Sequence, residues 1–197
     1  MTNVTAPETQ RQRPWLPGAL IVAVVAAVVA FSTLGLPGLG SDSAKVLTTK
    51  GLTKLVADIK DEFGTTQVVE LNLFEDYAIV EIPLSGGAGR RTQSYRYDGG
   101  FEKFGAGSSR TDKSSLLIDL SQLDVPATLA LLKTAPRTVG LPDETVSNVT
   151  LQIANGPGAG DGEIVSTYVM VDSDYDESGF VRADLSGQVI DVDKVTD

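Results

Sequence analysis

The chain has 197 residues and a formal net charge of −10, and it contains neither cysteine nor histidine. These two absences exclude Ser-His-Asp and Cys-His nucleophiles, zinc sites built from histidine or cysteine, and an imidazole base acting near neutral pH. The length allows one domain or two small ones, whose stability must come from an apolar core because no disulfide can form.

The first element along the chain is an apolar segment, whose centre reads LIVAVVAAVVAF. Residues 16–36 span about 31 Å as a helix, which matches the hydrocarbon core of a bilayer, and they predict a transmembrane helix. Arg11 and Arg13 precede this segment and Asp42 follows it. The positive-inside rule therefore places residues 1–15 in the cytoplasm as a short tail.

A cleaved signal peptide is the open alternative for this segment, because small residues near Ala30 would suit a cleavage site. Such a peptide has an apolar region of about 7–15 residues, which is shorter than this one. Either reading places the remainder of the chain outside the cytoplasm. Beyond residue 41 it carries 14 Lys and Arg against 25 Asp and Glu. A surface this acidic argues against binding nucleic acid or anionic lipid headgroups and favours solubility or cationic partners.

A Gly/Pro/Ser-rich tether at residues 37–45 leads into a segment with helical periodicity. Leu52, Leu55 and Ile59 fall on one face and predict an amphipathic helix over about residues 47–63, ending at Gly64. The pattern then alternates with period two in VELNL and YAIVEIP, and an Asp-Gly turn joins two further strands in QSYRYDGGFEKFG. One helix and four strands thus fill residues 46–105, the first predicted module.

The second half follows a Ser/Gly-rich linker at residues 106–115. Asp124 is the predicted N-cap of a helix with Pro126 in its first turn, and Pro136 and Gly140 are predicted to end it. Four strands follow in VSNVTLQIA, IVSTYVMV, FVRADL and VIDV. The predicted fold class is therefore α+β, with an N-terminal transmembrane helix followed by two repeated units, each one helix packed on a four-stranded antiparallel sheet. The second unit covers residues 116–197.

Two short matching stretches support this repeat. YRYDGG at residues 95–100 and VRADLSG at residues 181–187 each place an Arg two residues before an Asp, ahead of a glycine-containing turn. Alternate residues of a strand share a face, so Arg96 and Asp98, and likewise Arg182 and Asp184, are predicted to form same-face pairs. We interpret both pairs as a structural device rather than a ligand site.

The order of helix and antiparallel meander, together with the motifs YRYDGGF and VRADLSGQV, resembles the PepSY and β-lactamase-inhibitor-protein-like superfamily. The resemblance covers most of residues 47–193. It implies tandem modules on an exported or membrane-anchored bacterial protein, and a link to the inhibition or regulation of proteases and other enzymes. It transfers no individual binding residue to this chain.

The acidic run DSDYDESG at residues 172–179 is the stretch that comes nearest to a metal-binding motif. Asp172, Asp174 and Asp176 occupy the first, third and fifth positions of a calcium loop, but Glu177 and Ala183 stand at its sixth and twelfth positions. The run is therefore predicted to be a solvated hairpin tip, and whether its three aspartates bind a cation stays open. The glycine-rich stretches at 86–89 and 156–162 are interpreted as hairpin loops.

No residue is predicted to be catalytic, to bind a cofactor or to ligate a metal. The sequence predicts a non-enzymatic, membrane-anchored extracytoplasmic module of the bacterial envelope, which interacts with or regulates another exported or membrane protein. The alternative is an extracytoplasmic sensor or carrier that binds a small molecule or a cation.

Overall fold

The computed structural model describes residues 45–84, 91–109, 116–155 and 163–195. The predicted cytoplasmic tail and transmembrane helix lie outside these ranges, as do residues 37–44 of the tether, residues 110–115 of the linker and the glycine-rich stretches at 86–89 and 156–162. Within the described ranges, no helix is long and apolar enough to cross a membrane.

The first helix, α1 (Thr49–Phe63), confirms the amphipathic helix predicted from the sequence. Its N-cap is Thr48, whose hydroxyl oxygen accepts the Gly51 N–H at 3.0 Å, and it ends at Gly64 in a left-handed conformation with φ 69°. Leu52, Leu55 and Ile59 repeat at helical spacing and are buried in the core.

The second helix, α2 (Val125–Val139), begins as predicted at Asp124, whose carboxylate accepts the Ala127 N–H at 2.9 Å. Its end differs from the prediction, since the helix continues through Pro136 and stops at Gly140, where φ is 95°. Pro136 lies in the last turn, where its own carbonyl still accepts the N–H groups of Gly140 and Leu141. The glycine therefore terminates this helix, and the proline does not.

Most strands of the described ranges agree with the alternating segments of the sequence. The strand that begins at Phe101, however, continues through residues 106–109 of the predicted linker, and the short strand Ile118–Asp119 was not predicted. An eight-stranded antiparallel sheet has the order β10-β9-β8-β7-β2-β3-β4-β5, and β1 and β6 pair in a small separate ladder. Their bounds are β1 (Gln67–Val68), β2 (Glu70–Leu73), β3 (Ala78–Pro83), β4 (Arg91–Tyr97), β5 (Phe101–Ser109), β6 (Ile118–Asp119), β7 (Val146–Asn155), β8 (Glu163–Asp172), β9 (Ser178–Ala183) and β10 (Val189–Asp193).

The predicted fold of two separate helix-on-sheet units is wrong, because the strands of both halves belong to one sheet. The first strand that the first half contributes to the eight-stranded sheet, β2, pairs with the first that the second half contributes, β7, through the partners Leu71↔Leu151 and Leu73↔Val149. Separate sheets would have left both strands as edges with unpaired N–H and C=O groups. Pairing them satisfies those groups and merges the two predicted sheets into one.

Both helices pack on the same face of this sheet. On one flank, Phe63 of α1 contacts the rings of Tyr95 and Phe101, and on the other, Val139 of α2 lies directly over Gly179. Pleated strands send alternate side chains to opposite faces, so one row of partners crosses the whole sheet beneath the helices. Its members are Phe101, Tyr97, Ala78, Leu73, Val149, Val169, Val181 and Val192.

Candidate functional site

The opposite face of the sheet carries polar and aromatic side chains. One row of directly paired residues crosses all eight strands on this face. We call this row and the same-face residues beside it the polar face. The row comprises Glu102, Arg96, Ile79, Asn72, Thr150, Tyr168, Arg182 and Asp191, and the neighbours used below are Glu70, Phe74, Tyr77, Glu81, Asn148, Ser166, Met170 and Phe180.

A ladder of side-chain hydrogen bonds lies at the centre of the polar face, where the two halves of the sheet meet. The Asn148 amide donates to Thr150 Oγ1 at 3.1 Å, and the Thr150 hydroxyl donates to Asn72 Oδ1 at 2.7 Å. The Asn72 amide in turn donates to Glu70 Oε1 at 2.6 Å. All three bonds point toward the Glu70 carboxylate, and the middle one links β7 to β2, so the ladder fixes the side chains along the junction.

Glu70 ends this ladder opposite another carboxylate. Its Cα partner on β3 is Glu81, which also accepts a hydrogen bond from the Thr92 hydroxyl. Burial raises the pKa of Glu70, and the negative charge of Glu81 raises it further, while the hydrogen bond from Asn72 works in the opposite direction. Ionisation of the half-buried Glu70 carboxylate is therefore less favourable in the folded protein than in water.

An arginine stacked on a tyrosine lies on each flank of the polar face. The Arg96 guanidinium carbon lies 4.2 Å from the centroid of the Tyr77 ring, which in turn stacks on Phe74 at 4.5 Å. On the other flank, the Arg182 guanidinium carbon lies 5.5 Å from the Tyr168 centroid. Arg96 and Arg182 stand five strand spacings apart, which is about 24 Å.

The two Arg-Asp pairs predicted from the sequence have different outcomes. Arg96 Nε lies 3.9 Å from Asp98 Oδ2, which agrees with the expected same-face pair. Arg182 makes no ion pair with Asp184, and its Nε donates instead to Ser166 Oγ at 3.0 Å. Among the described residues no carboxylate pairs with Arg182, although it is only 2% exposed.

The Asp184 side chain forms hydrogen bonds within the turn that follows β9. Its Oδ1 accepts hydrogen bonds from the Ser186 hydroxyl and from the N–H groups of Ser186 and Gln188. Burial raises the pKa of Asp184, but these bonds outweigh it and the net pKa is lowered. The aspartate of VRADLSG therefore closes a turn through Oδ1, and it forms no ion pair with Arg182.

The acidic run forms the β8–β9 turn, as predicted. The Ser173 hydroxyl oxygen accepts the N–H groups of Tyr175 and Glu177, and Asp176 has a positive φ of 60°. Tyr175 projects from the tip and is 84% exposed. Within the described part of the chain, no three acidic side chains converge as they would around a metal ion.

A shallow cleft of about 640 Å³ lies elsewhere, between the chain entering α1 and the C-terminal half of α2. Leu47, Leu132 and Pro136 contribute apolar surface. The charged side chains of the lining have both signs, with Lys45, Lys133 and Arg137 beside Glu75 and Glu144. The cations considered below are Lys133 and Arg137. Neither cation forms an ion pair among the described residues.

The sequence did not reveal the ladder or the carboxylate pair. The alternation of Glu70 and Asn72 with buried leucines did show that these residues point away from the core. The partner of Asn72, however, is Thr150, which lies 78 residues further along the chain. No local pattern specifies that register, so only the paired strands bring these groups together.

Comparison with known proteins finds two relatives in Mycobacterium tuberculosis. They are Uncharacterized protein MT0054 of strain CDC 1551 and Uncharacterized protein Rv0048c of strain H37Rv, each 26% identical to this chain over 125 residues. The alignment covers 64% of this chain and 43% of each relative, so the chain spans less than half of their length. No family model and no solved structure matches the chain. The resemblance to the PepSY and β-lactamase-inhibitor-protein-like superfamily stays a prediction.

Proposed function

We propose that this chain is a non-enzymatic interaction module, anchored at the membrane through residues 16–36, whose extracytoplasmic polar face binds another exported or membrane protein. The observation that carries the proposal is the composition of that face. Tyr77, Tyr168 and Arg96, with Met170 and Phe180, are all half-buried side chains on one continuous strand surface. Tyrosine, phenylalanine, methionine and arginine are the residue types enriched at protein interfaces.

The hydrogen-bonded ladder favours binding because it fixes the centre of the face before a partner arrives. Asn72 and Thr150 already hold each other in place, so less side-chain freedom would be lost on association. A partner that touches both arginines must extend about 24 Å, which is the dimension of a standard interface of about 800 Å² on each side. The anchor would add to the affinity by raising the local concentration of membrane-bound partners.

Site-specific crosslinking in cells tests this proposal. A photo-crosslinking amino acid at Thr150, in the centre of the polar face, should give one discrete adduct with an identifiable membrane or exported protein. The same group at Lys50, on the exposed side of α1, is the matched control and should not give that adduct. Arg96→Ala in the Thr150 variant should weaken the adduct several-fold. Equal labelling from the two positions, or none from Thr150, contradicts the proposal.

The membrane topology can be tested with single introduced cysteines, because the sequence contains no cysteine of its own that would react with the label. A single cysteine at position 43 should react with a membrane-impermeant maleimide in intact cells, whereas one at position 5 should react only after lysis. Deletion of residues 16–36 should release the protein from the membrane fraction. Labelling at position 5 in intact cells would overturn the proposed orientation.

The cleft beside α2 supports a second candidate, the binding of a small anionic amphiphile outside the cytoplasm. Lys133 and Arg137 supply positive charge and form no ion pair among the described residues, and Leu132 supplies apolar contact. Glu75 and Glu144 also line the cleft, and Glu75 is paired with Lys45. Titration with decanoate, followed by intrinsic fluorescence or thermal melting, should show saturable binding that Lys133→Gln with Arg137→Gln abolishes. An unchanged response in the double variant removes this candidate.

A further inference from the structure

Three side chains form a stack on the β2–β4 flank of the polar face. The Phe74 N–H donates to the Tyr77 carbonyl at 2.9 Å, which closes the turn between β2 and β3 and holds the two rings together. Their centroids lie 4.5 Å apart at an interplanar angle of 14°. Arg96 of β4 adds the third layer, with its guanidinium carbon 4.2 Å from the Tyr77 centroid. The guanidinium therefore lies on an aromatic platform that a backbone turn fixes in place.

The contacts of the Arg96 guanidinium leave part of its surface open to solvent. Its side chain is 38% exposed, and among the described residues it interacts only with the Tyr77 ring and with Asp98 Oδ2, which lies 3.9 Å from Nε. That separation is too long for a hydrogen bond. Because one guanidinium face lies against Tyr77, the face on the opposite side is available to a partner. Stacking also limits the rotamers of Arg96, so less side-chain freedom is lost on binding.

The charges around Arg96 disfavour an anionic ligand. Asp98 lies within 3.9 Å, and Glu102 is the direct Cα partner of Arg96 on β5, so two carboxylates share its face of the sheet. The chain beyond residue 41 is also strongly acidic, with 14 Lys and Arg against 25 Asp and Glu. These charges would repel an acidic side chain of the partner but not a neutral aromatic ring. The negative face of such a ring is complementary to the guanidinium cation.

We propose that Arg96 binds one aromatic side chain of the partner, whose ring stacks on the guanidinium face opposite Tyr77. This inference rests on the proposed function, since it uses the same polar face, and it deepens that function by naming the chemistry recognised there. The planar guanidinium of arginine is suited to stacking on aromatic rings. The partner's ring would extend the stack of Phe74, Tyr77 and Arg96 by one layer and would leave Asp98 in place.

The chemistry is tested on the full-length protein in detergent micelles with N-acetyl-phenylalanine amide, its saturated counterpart N-acetyl-cyclohexylalanine amide, and acetate. An aromatic ring stacked on the guanidinium shifts the Nε–H proton resonance upfield through its ring current. We expect the phenylalanine probe to shift the Arg96 Nε–H resonance upfield and saturably, and the other two probes to cause no such shift. Arg96→Lys, which lacks this resonance, assigns it. The measurement is made on the wild type, so it does not depend on how any variant folds.

The contribution of the stack to partner binding is tested with Arg96 variants of the protein that carries the crosslinker at Thr150. Arg96→Ala removes the stacking surface and should reduce the adduct about three-fold. Arg96→Tyr should retain most of the adduct, because a tyrosine ring can still stack on an aromatic side chain but cannot bind a carboxylate. Arg91→Ala is the matched control, since Arg91 is an exposed arginine of β4 that forms no ring contact or ion pair in the described ranges. It should leave the adduct unchanged.

The inference is overturned if the phenylalanine and cyclohexylalanine probes act equally, if acetate causes the larger shift, or if Arg96→Ala leaves the adduct unchanged. Loss of the adduct in Arg96→Tyr also overturns it, and retention in Arg96→Lys would then assign a carboxylate as the group recognised. Failure of crosslinking at Thr150 with an intact upfield shift would contradict the proposed function and leave the aromatic site standing. Successful crosslinking without a shift from the phenylalanine probe would overturn the inference about Arg96 alone.

Discussion

Glu70 illustrates how a single residue on the polar face is held in an unfavourable state. Glu70 is half-buried and lies directly opposite Glu81 on the adjacent strand. Its carboxylate accepts one hydrogen bond, from Asn72. Like charges directly opposite one another in a sheet destabilise it by up to about 1 kcal/mol. Replacing this carboxylate by a neutral group therefore measures what its charge costs the folded protein.

Glu70→Gln should therefore stabilise the protein by about 0.5 kcal/mol at pH 7. Glutamine keeps an oxygen that accepts the Asn72 hydrogen bond and removes the buried charge. Because the pKa of Glu70 is raised, the folded protein binds a proton at this site more readily than the unfolded chain does. The free energy of unfolding of the wild type therefore decreases as the pH rises through the folded pKa of Glu70. Denaturant unfolding should show a gain that disappears near pH 4, whereas a pH-independent gain would contradict the charge explanation.

Asp58 is the opposite case, because its partners favour the charged form. Burial raises its pKa, but hydrogen bonds from Lys54 and from the Tyr97 hydroxyl, which lies 2.6 Å from Oδ2, lower the net pKa below its ordinary value. The depressed pKa gives stability that is present above the unfolded pKa and is lost as pH falls through the folded pKa. Tyr97 thereby links α1 to β4 through a partly buried hydrogen bond.

Tyr97→Phe should cost about 1–2 kcal/mol, since it removes a hydrogen bond to a charged group without removing the ring. In wild type, the free energy of unfolding should decrease as the pH is lowered from about 5 to 3, and Asp58→Asn should make that decrease smaller. Chemical denaturation at several pH values measures both effects. The same pH dependence in Asp58→Asn and wild type would show that other carboxylates dominate.

At the scale of elements, the start of α1 shows that helix propensity and packing can disagree. Glycine has the lowest helix propensity after proline. From propensity alone, Gly51→Ala should therefore stabilise the protein by about 1 kcal/mol. In the structure, however, the chain before the helix folds back over the first turn, where the Thr48 hydroxyl donates to the Lys45 carbonyl at 2.8 Å. A Cβ on Gly51 would collide with that same carbonyl oxygen.

Gly51→Ala should therefore destabilise the protein by about 2 kcal/mol, because backbone atoms must move to admit the methyl group. Lys50→Ala, at the adjacent exposed position, is the matched control and should change the free energy of unfolding by less than about 0.5 kcal/mol. Thermal and denaturant unfolding of the two variants decide between the outcomes. A stabilised Gly51→Ala would mean that residues 45–48 do not pack on the helix as described.

At the scale of the whole molecule, the β2–β7 pairing decides how the protein unfolds. Leu71 and Leu151 are direct partners across that junction and both are fully buried. A continuous sheet with one core should unfold as one cooperative unit, whereas two independent units would unfold in two steps.

Calorimetry should therefore show one transition for the described domain, with equal calorimetric and van't Hoff enthalpies. Leu71→Ala and Leu151→Ala should each cost about 2–5 kcal/mol and shift that single transition, although they lie in different halves of the chain. Because the two side chains touch across the junction, the cost in the double variant should differ from the sum. Two separable transitions, each affected by only one variant, would contradict a shared core.

The sequence by itself determined both helices and most strands of the described ranges. Period two marked β2, β3 and the strands of the second half, period 3.6 marked α1, and Asp124 marked the start of α2, because these signals lie within a few residues of one another. It also indicated that Arg96 and Asp98 share a face. Periodicity has no information about which strands become neighbours, and so the repeated-unit fold was a reasonable but wrong assembly of correct parts.

Only the tertiary structure decided the single sheet, the ladder from Asn148 to Glu70 and the unpaired state of Arg182. Each depends on strand register or on competition between hydrogen bonds, and both are set by residues far apart in the chain. VRADLSG and YRYDGG look alike as sequence, yet the turn after β9 takes Asp184 for its own N–H groups, while Asp98 stays beside Arg96. The hydrogen bonds of that turn hold Asp184, so among the described residues Arg96 lies beside a carboxylate and Arg182 forms no ion pair.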